Sequence, residues 1–306
     1  MNRLSELFPA GPPISEDQQI GRSAFIGSIE ERLQNWDVLI FADARRVGKT
    51  SVARAALARI KAGGGVTAEV NLAAHGNDHM GAASALAQAL AGNLGRRTQR
   101  VGDTARRLRR GGAGDVTGAD GATVLAVTAE LLGVSRRIDS VFVQAAARAA
   151  NRACAILLDE AHVISEWPEE VQEALNVTLR DCGSLGVIVS SSERRAVERL
   201  LDEGQALHMA GYTLGLPEID ALTWAEGLAA RFATLGADVE PVTLHEMVAA
   251  ARHHPYCTMR LAAESALQAE QERRIKGDER PVIDELALAA ALVVVRDDPV
   301  WKTAIE

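Results

Sequence analysis

The run Asp43-Ala-Arg-Arg-Val-Gly-Lys-Thr50 constrains this chain more than any other stretch. It follows Val38-Leu-Ile-Phe-Ala42, a segment too short for a helix and too apolar to be exposed, which reads as a central strand buried on both faces. It precedes Ser51-Val-Ala-Arg-Ala-Ala-Leu-Ala-Arg-Ile60, where Val52, Ala56 and Ile60 share one helical face. A strand, a loop ending Gly-Lys-Thr and a helix make up the phosphate-loop pattern, in which backbone N–H groups and a helix N-terminus surround phosphate oxygens. In such a loop Gly48 lets the backbone approach a β-phosphate with no Cβ in the way. Lys49 brings a point charge to the β- and γ-phosphates, and Thr50 offers its hydroxyl to Mg2+. Asp43 stands where the pattern has its first Gly. Asp tolerates unusual backbone angles less well than Gly, and its carboxylate repels a triphosphate, so binding is expected to be retained but weakened.

A second strand signal supplies the acids such a loop needs. Ala153-Cys-Ala-Ile-Leu-Leu-Asp-Glu160 is an apolar run rising to two carboxylates, the Walker B pattern. Asp159 would hold the Mg2+ that Thr50 also touches, and Glu160 would orient and polarise the attacking water. An apolar strand ending in Asp-Glu is common in parallel sheets, so the pattern gains meaning only beside the phosphate loop. Leu185-Gly-Val-Ile-Val-Ser190 reads as another buried strand, and a polar side chain at its end, Ser190 or Ser192, would reach toward the γ-phosphate and the water. The plainer reading is that these serines cap a helix starting at Glu193. The strand-tip position favours the sensing role for Ser190.

With 306 residues the chain holds one large domain or two modest ones. Its 47% hydrophobic and 24% charged content is ordinary for a globular protein, and a net charge of −8 argues against a globally basic nucleic-acid coat but not against a local basic patch. Lys occurs only at positions 49, 61, 276 and 302, so a Lys kept at the loop position is mild support for function there. Cys154, Cys182 and Cys257 are far apart, odd in number and form no Cys-x-x-Cys, which argues against a disulfide framework or zinc ribbon and for a reducing compartment. The N-terminus, with Glu6 and Pro9, has no apolar core of a secretory signal. The longest apolar run, Leu286 to Val295, falls short of the ~20 residues that span a bilayer, so a cytoplasmic protein away from membranes is expected.

Residues 1–19 are Pro-rich and polar and are expected to form an extended arm. After Ile20-Gly21-Arg22, Phe25, Ile29 and Leu33 mark a helix. An α/β domain is expected over 20–216, with Gly63-Gly-Gly65 ending the loop's helix, a second strand over Val66–Leu72, a helix through Leu86, Leu90 and Leu94, another through Val171, Leu175 and Leu179, and a fifth strand over Leu207–Leu214. An Arg- and Gly-rich insertion over 95–121 carries Arg96, Arg97, Arg100, Arg106, Arg107, Arg109 and Arg110, and a long helical region follows over 122–152. Those arginines fit a grip on the phosphates of DNA or RNA or on an acidic protein partner, or a solvated loop, the commoner meaning of a charge run. From 217 to 306 the pattern is all helix. Trp224, Leu228, Phe232 and Leu235 share a face that stops at Gly236, Thr243-Leu-His-Glu246 reads as a capping box, and Pro255 suits a first helical turn. His253, His254 and Cys257 lack a fourth partner and make a poor metal set.

Taken together, Ile20-Gly21-Arg22, Arg45-Arg46-Val47-Gly48-Lys49-Thr50-Ser51, Leu157-Leu-Asp-Glu160, Ile188-Val-Ser-Ser-Ser-Glu193 and His254-Pro255 resemble the AAA+/STAND P-loop ATPases, in their archaeal-type, replication-initiator-like (Orc/Cdc6-like) branch. The resemblance covers about residues 18–300. It implies an α/β three-layer P-loop fold (ASCE) with parallel sheet order 5-1-4-3-2 and a small all-α lid domain. It also implies that Ile20, Gly21 and Arg22 lie near the adenine, that residues Arg45 to Ser51 bind the phosphates, and that His254-Pro255 brings the lid onto the nucleotide. Three departures from the family pattern stand out. Asp43 replaces a Gly, no clear arginine finger follows the fifth strand, and the sequence stops before the winged helix that commonly follows. Arg180, Arg194 and Arg195 are substitute finger candidates. Asp159-Glu-Ala-His162 also spells the helicase DEAH box, but such helicases need a second nucleotide-facing domain for which this chain has no room.

The expected function is ATP binding and Mg2+-dependent ATP hydrolysis by a molecular switch or ring component, with Lys49, Glu160 and Ser190 in catalytic roles and Thr50 and Asp159 on the metal. Self-association and a DNA-linked process are compatible with it. With no finger in cis, turnover is expected to be slow. The competing class is a nucleotide-locked interaction module that holds ATP or ADP with little or no hydrolysis.

Overall fold

Five short apolar runs form one sheet in a computed structural model, which describes residues 3–92, 138, 141, 153–181 and 183–305. The strands are β1 (Val38–Ala42), β2 (Val66–Asn71), β3 (Cys154–Asp159), β4 (Gly186–Ser191) and β5 (Tyr212–Leu214). Their order is β2-β3-β4-β1-β5 and every neighbouring pair is parallel, the order and class that the resemblance implies. Parallel strands need crossovers that cover both faces of a sheet, and the runs of β3 and β4 are accordingly buried at every residue. Val38, Ile40, Ile156, Leu158, Val187 and Val189 alternate onto one face and join a common core with Leu86, Leu90, Leu175 and Leu179. Leu39, Phe41, Leu157 and Ile188 are buried on the other.

The chain divides into two units, one made of residues 26–45 and 53–215, the other of 1–25, 46–52 and 216–306. The first unit carries the sheet. Its helices include α4 (His79–Gly92), α5 (Glu169–Asp181) and α6 (Arg194–Leu201), together with most of α2 (Ser23–Gln34) and α3 (Lys49–Ala62). In α2 the buried positions are Ile26, Ile29 and Leu33, one stripe at helical spacing.

The second unit is helical. Besides α1 (Arg3–Leu7), it contains α7 (Ala221–Leu235), α8 (Pro241–Ala250), α9 (Pro255–Lys276), α10 (Glu285–Val295) and α11 (Pro299–Ile305), with a two-stranded parallel pair β6 (Asp238–Val239) and β7 (Val282–Ile283). Phe8, Trp224, Leu228, Phe232, Met247, Leu261 and Trp301 lie in its core. Asp220 caps α7 through Thr223 N–H, and Gly236 ends it in the left-handed conformation that glycine adopts without strain. Among the described residues no helix is long and apolar enough to cross a membrane.

Three local expectations are corrected. Residues 3–7 are helical rather than an extended arm, and Phe8 is buried with its ring 4.9 Å from that of Phe232. A single aromatic amid prolines gives no periodicity, yet its burial is enough to seat the segment. The fifth strand is confined to Tyr212–Leu214. Leu207 and Ala210 spend their N–H groups on local bonds to Leu200 and Leu207, so this stretch turns and buries Leu207 instead of pairing. Thr243 opens no helix, because Pro241, with its preset φ, starts α8 two residues earlier and leaves Thr243 inside it. The insertion 95–121 and, apart from Ile138 and Val141, the helical region 122–152 lie outside the described residues.

Candidate functional site

The expected site residues fall in both units. In the sheet unit, the parallel register brings strand ends level. Ala42 pairs with Ser191 and Leu158 with Val189, so β1, β3 and β4 finish along one edge. Ligands of open parallel sheets bind outside such carboxyl ends. From β1 the chain runs into Asp43, whose Oδ1 accepts the N–H of Ala44 at 2.9 Å. Asp43 is not among the residues with positive φ, so this position makes no demand for Gly. The missing first Gly is therefore no obstacle to the turn, although the carboxylate remains.

Asp159, the last residue of β3, is buried, with Oδ1 accepting the N–H of Glu160 at 3.1 Å. Glu160 itself sits at φ 53°, ψ 47°, a left-handed conformation that costs a residue with a side chain about 1–3 kcal/mol and persists where surrounding structure enforces it. That bend turns the chain from β3 into the 3-10 turn Ala161–Glu166. Ser192 Oγ donates to the Glu160 carboxylate at 3.1 Å. His162 Nδ1 lies 3.4 Å from the same carboxylate.

The three serines have separate fates. Ser190 is fully buried, and among the described residues its Oγ has no hydrogen-bond partner. Ser191 accepts the N–H of Glu193 at 3.1 Å and so shapes the start of α6, while Ser192 is the one on Glu160. Strand alternation foretold a polar tip but did not tell which hydroxyl turns toward the acid. A further residue that pattern reading passes over is Arg54, which grips both oxygens of Glu69. That bond, and next to it the charges of Glu69 and Asp159, keeps the guanidinium's pKa above its ordinary value against the pull of burial. The finger candidates Arg180, Arg194 and Arg195 are exposed, and Arg194 pairs with Glu198 at 2.9 Å along α6.

The helical unit also includes the segment 46–52, which carries the Gly48-Lys49-Thr50 run. Gly48 has φ +100°, which residues with a side chain rarely adopt, and a Cβ there would stand 3.4 Å from Arg22 Nη1. Lys49 is the first residue of α3 and is buried, and Thr50 is half-buried behind it. Four N–H groups at a helix start lack intrahelical partners, so a cradle without a Cβ and a lysine at its rim fit a polyphosphate. A buried carboxylate and a hydroxyl, as on Asp159 and Thr50, are the hard oxygen donors that Mg2+ takes.

Ser51 is tied elsewhere. Its Oγ accepts the N–H of Ile14 at 3.1 Å and its carbonyl accepts from Gln19 Nε2 at 3.1 Å, so it anchors the N-terminal segment to the start of α3. Arg45 and Arg46 are exposed. Arg46, at φ 61°, stacks its guanidinium 4.4 Å from the centre of the Tyr256 ring. Val47 is half-buried between them and Gly48.

Ile20, Gly21 and Arg22 pack on α7 and the turn before it. Ile20 lies against Gly227, where a Cβ would come within 2.6 Å of Ile20 Cδ1. An interior helix glycine was the available sign of that close approach. Arg22 Nη2 donates to the Pro217 carbonyl at 3.2 Å. Pro255 is the first residue of α9, as expected, and His254 caps that helix by accepting the Cys257 N–H at 3.4 Å. Tyr256 OH donates to Asp298 at 2.7 Å. Burial and that bond push the Tyr256 hydroxyl's pKa up. Burial also pushes Asp298 upward, but hydrogen bonds from Tyr256, Val300 and Trp301 and the charge of Arg260 outweigh it and hold the carboxyl below its ordinary range.

No protein-family model matches the sequence, and a search of curated proteins finds no match. Solved structures do match. The chain is similar over 97% of its length to a Walker-type ATPase of Pyrococcus abyssi, of which it covers 80%, with 16% identity and a TM-score of 0.61. It is similar over 96% of its length to the ORC2 protein of Aeropyrum pernix in ADPNP–ADP complexes, covering 72% of that chain with 16% identity and a TM-score of 0.56. The Aeropyrum pernix ORC1 protein in complex with DNA matches over 98% of this chain and 71% of its own, with 21% identity and a TM-score of 0.55. At these identities a likeness speaks of fold. Together with the strand order β2-β3-β4-β1-β5, these likenesses establish that the chain has the fold of the Orc/Cdc6-like and Walker-type P-loop ATPases.

Proposed function

We propose that the protein binds ATP and hydrolyses it with Mg2+, working as a molecular switch. One observation carries this reading. β1 runs directly into the Gly48-Lys49-Thr50 loop, and β3 of the same parallel sheet ends at buried Asp159, followed by Glu160 in a strained left-handed bend. Strained residues with side chains gather at functional sites, and Arg46 and His253 add two more beside the expected motifs.

In this reading the Gly48 to Thr50 amides and the Lys49 ammonium bind the β- and γ-phosphates and stabilise the charge that develops as the γ-phosphoryl leaves. Thr50 and Asp159 are the protein ligands of Mg2+, which when bound neutralises phosphate charge. Glu160 accepts a hydrogen bond from the attacking water and orients it. Buried Ser190, its hydroxyl without a partner among the described residues, is held ready to donate to the γ-phosphate. Ile20, Gly21 and Arg22 line the adenine side, with Arg45, Arg46, Val47, Ser51 and Pro255 around the nucleotide. With no arginine finger assigned, turnover is slow unless a second copy supplies one, which is where self-association enters. The ORC1 neighbour in complex with DNA, together with the arginines of 96–110, supports a DNA-linked role.

The test is phosphate release from purified protein beside Glu160→Gln. Loss of a water-orienting carboxylate should lower kcat about 100-fold or more while ATP binding persists. Equal release from both proteins would remove the enzymatic reading. Bound nucleotide with no turnover in either would instead support the nucleotide-locked module, for which the Asp43 carboxylate at the loop entrance is the favouring observation.

A further inference from the structure

His162 has no part in the roles assigned above, yet both of its ring nitrogens face carboxylates. Nδ1 is 3.4 Å from Glu160 Oε2 and Nε2 is 3.6 Å from Glu193 Oε1. The ring belongs to the 3-10 turn after β3, and its side chain is only 19% exposed. Ser191 Oγ lies 3.4 Å from Nδ1 and is itself engaged by the N–H of Glu193. Among the described residues, the charged groups that face the imidazole are therefore Glu160 on its own segment and Glu193 at the turn from β4 into α6.

We propose that His162 is a positioning residue for Glu160, rotationally fixed by Glu193 and holding the water-orienting carboxylate through Nδ1. The inference rests on the reading of Glu160 just given. A carboxylate is an acceptor only, so a nitrogen facing it is attractive when it carries a proton. Which imidazole nitrogen does so is set by the bond the other nitrogen makes. Ser192 Oγ lies 3.1 Å from Oε2 and 3.4 Å from Oε1 of Glu160, so one hydroxyl with a single proton serves the whole carboxylate. His162 Nδ1 faces Oε2 from a different segment and gives the carboxylate a second donor, which narrows its movement. Glu193 stands to His162 as the third member of an acid–base array stands to its base, an orienting group that touches no substrate. The turns that follow β3 and β4 are thereby tied through one ring.

Two amide replacements separate positioning from space-filling, because the amide nitrogen of Asn falls near the place of Nδ1 and that of Gln near the place of Nε2. His162→Ala should lower kcat about 10- to 100-fold with KM for ATP changed less than about twofold, the range typical for removal of an orienting partner. His162→Asn should recover most of that loss and His162→Gln little of it. A second readout needs no turnover. In nucleotide-free protein, the long-range 1H–15N imidazole signals that vanish in His162→Asn should move at Nδ1 on Glu160→Gln and at Nε2 on Glu193→Gln. Wild-type activity in all three His162 variants, equal recovery by Asn and Gln, or ring signals unmoved by either glutamate change would overturn the inference while leaving the ATPase reading intact. Wild-type protein no faster than Glu160→Gln would overturn both.

Discussion

Replacing Gly21 by Ala should destabilise the helical unit well beyond an ordinary glycine change. Gly21 has φ +69°, a left-handed backbone that costs an L-residue about 1–2 kcal/mol. The new Cβ would also lie 2.6 Å from Thr223 Cγ2 and 3.0 Å from Ile219 Cγ2. Thr223 is not free to swing away, since its N–H and its Oγ1 both donate to Asp220, at 2.8 Å and 2.6 Å, in the cap of α7. Displacing Thr223 gives up part of a cap, about 0.5–2 kcal/mol, and leaving it in place forces an overpacked contact of about 1–3 kcal/mol. The loss comes to about 1.5–4 kcal/mol by the first route and about 2–5 kcal/mol by the second. Gly236→Ala is the control, because its φ is +84° but among the described residues nothing lies within 4 Å of an added Cβ, so only the backbone cost of about 1–2 kcal/mol remains. Urea unfolding followed by the fluorescence of Trp224 and Trp301, both buried in this unit, measures the two losses. Thr223→Ala removes the clashing methyl, so a double-mutant cycle with Gly21→Ala should show favourable coupling of about 1 kcal/mol or more. Equal losses at Gly21 and Gly236, or no coupling, would refute the packing argument.

Phe8→Ala should cost about 3–5 kcal/mol in the same urea assay, the usual range for emptying a buried aromatic site, whereas an extended arm would give almost nothing. Burial and the charge of Asp298 push the Cys257 thiol up to about 12 from an ordinary 9.0. Keeping that thiol neutral therefore contributes stability in full below pH 9 that is lost as pH rises toward 12. Unfolding midpoints measured across this window should fall, and the fall should be shallower in Cys257→Ala. Replacing Arg96, Arg97, Arg100, Arg106, Arg107, Arg109 and Arg110 by Ser should abolish salt-sensitive DNA binding in a fluorescence-anisotropy titration. Unchanged binding would exclude that stretch as the contact.

The sheet was legible because its strands are buried on both faces and so carry unbroken apolar runs, as Val38–Ala42 and Cys154–Asp159 do. Their pairing order was not written in those runs and came through the resemblance. Pro255 and Gly236 were readable because each fits a helix end for a backbone reason. Contacts between side chains distant in sequence left no local trace. Phe8 on Phe232, Ile20 on Gly227 and Arg46 over Tyr256 depend on how segments fold together, which periodicity does not encode. The site followed the same division. The order Gly48-Lys49-Thr50 and Asp159-Glu160 could be read directly, but not that Ser192 rather than its neighbour bonds Glu160, nor that His162 faces two acids. Neighbouring serines look alike in a sequence, and only the turn from β4 into α6 distinguishes them.

The central claim is that the loop at Gly48-Lys49-Thr50 captures a nucleotide triphosphate, and calorimetric titration of ATP with Mg2+ into wild-type protein and Lys49→Ala tests it most directly. The account predicts saturable one-to-one uptake by the wild type, weakened about tenfold or more when the lysine ammonium is removed. An absence of binding heat at several temperatures, or equal affinity in both proteins, would contradict it.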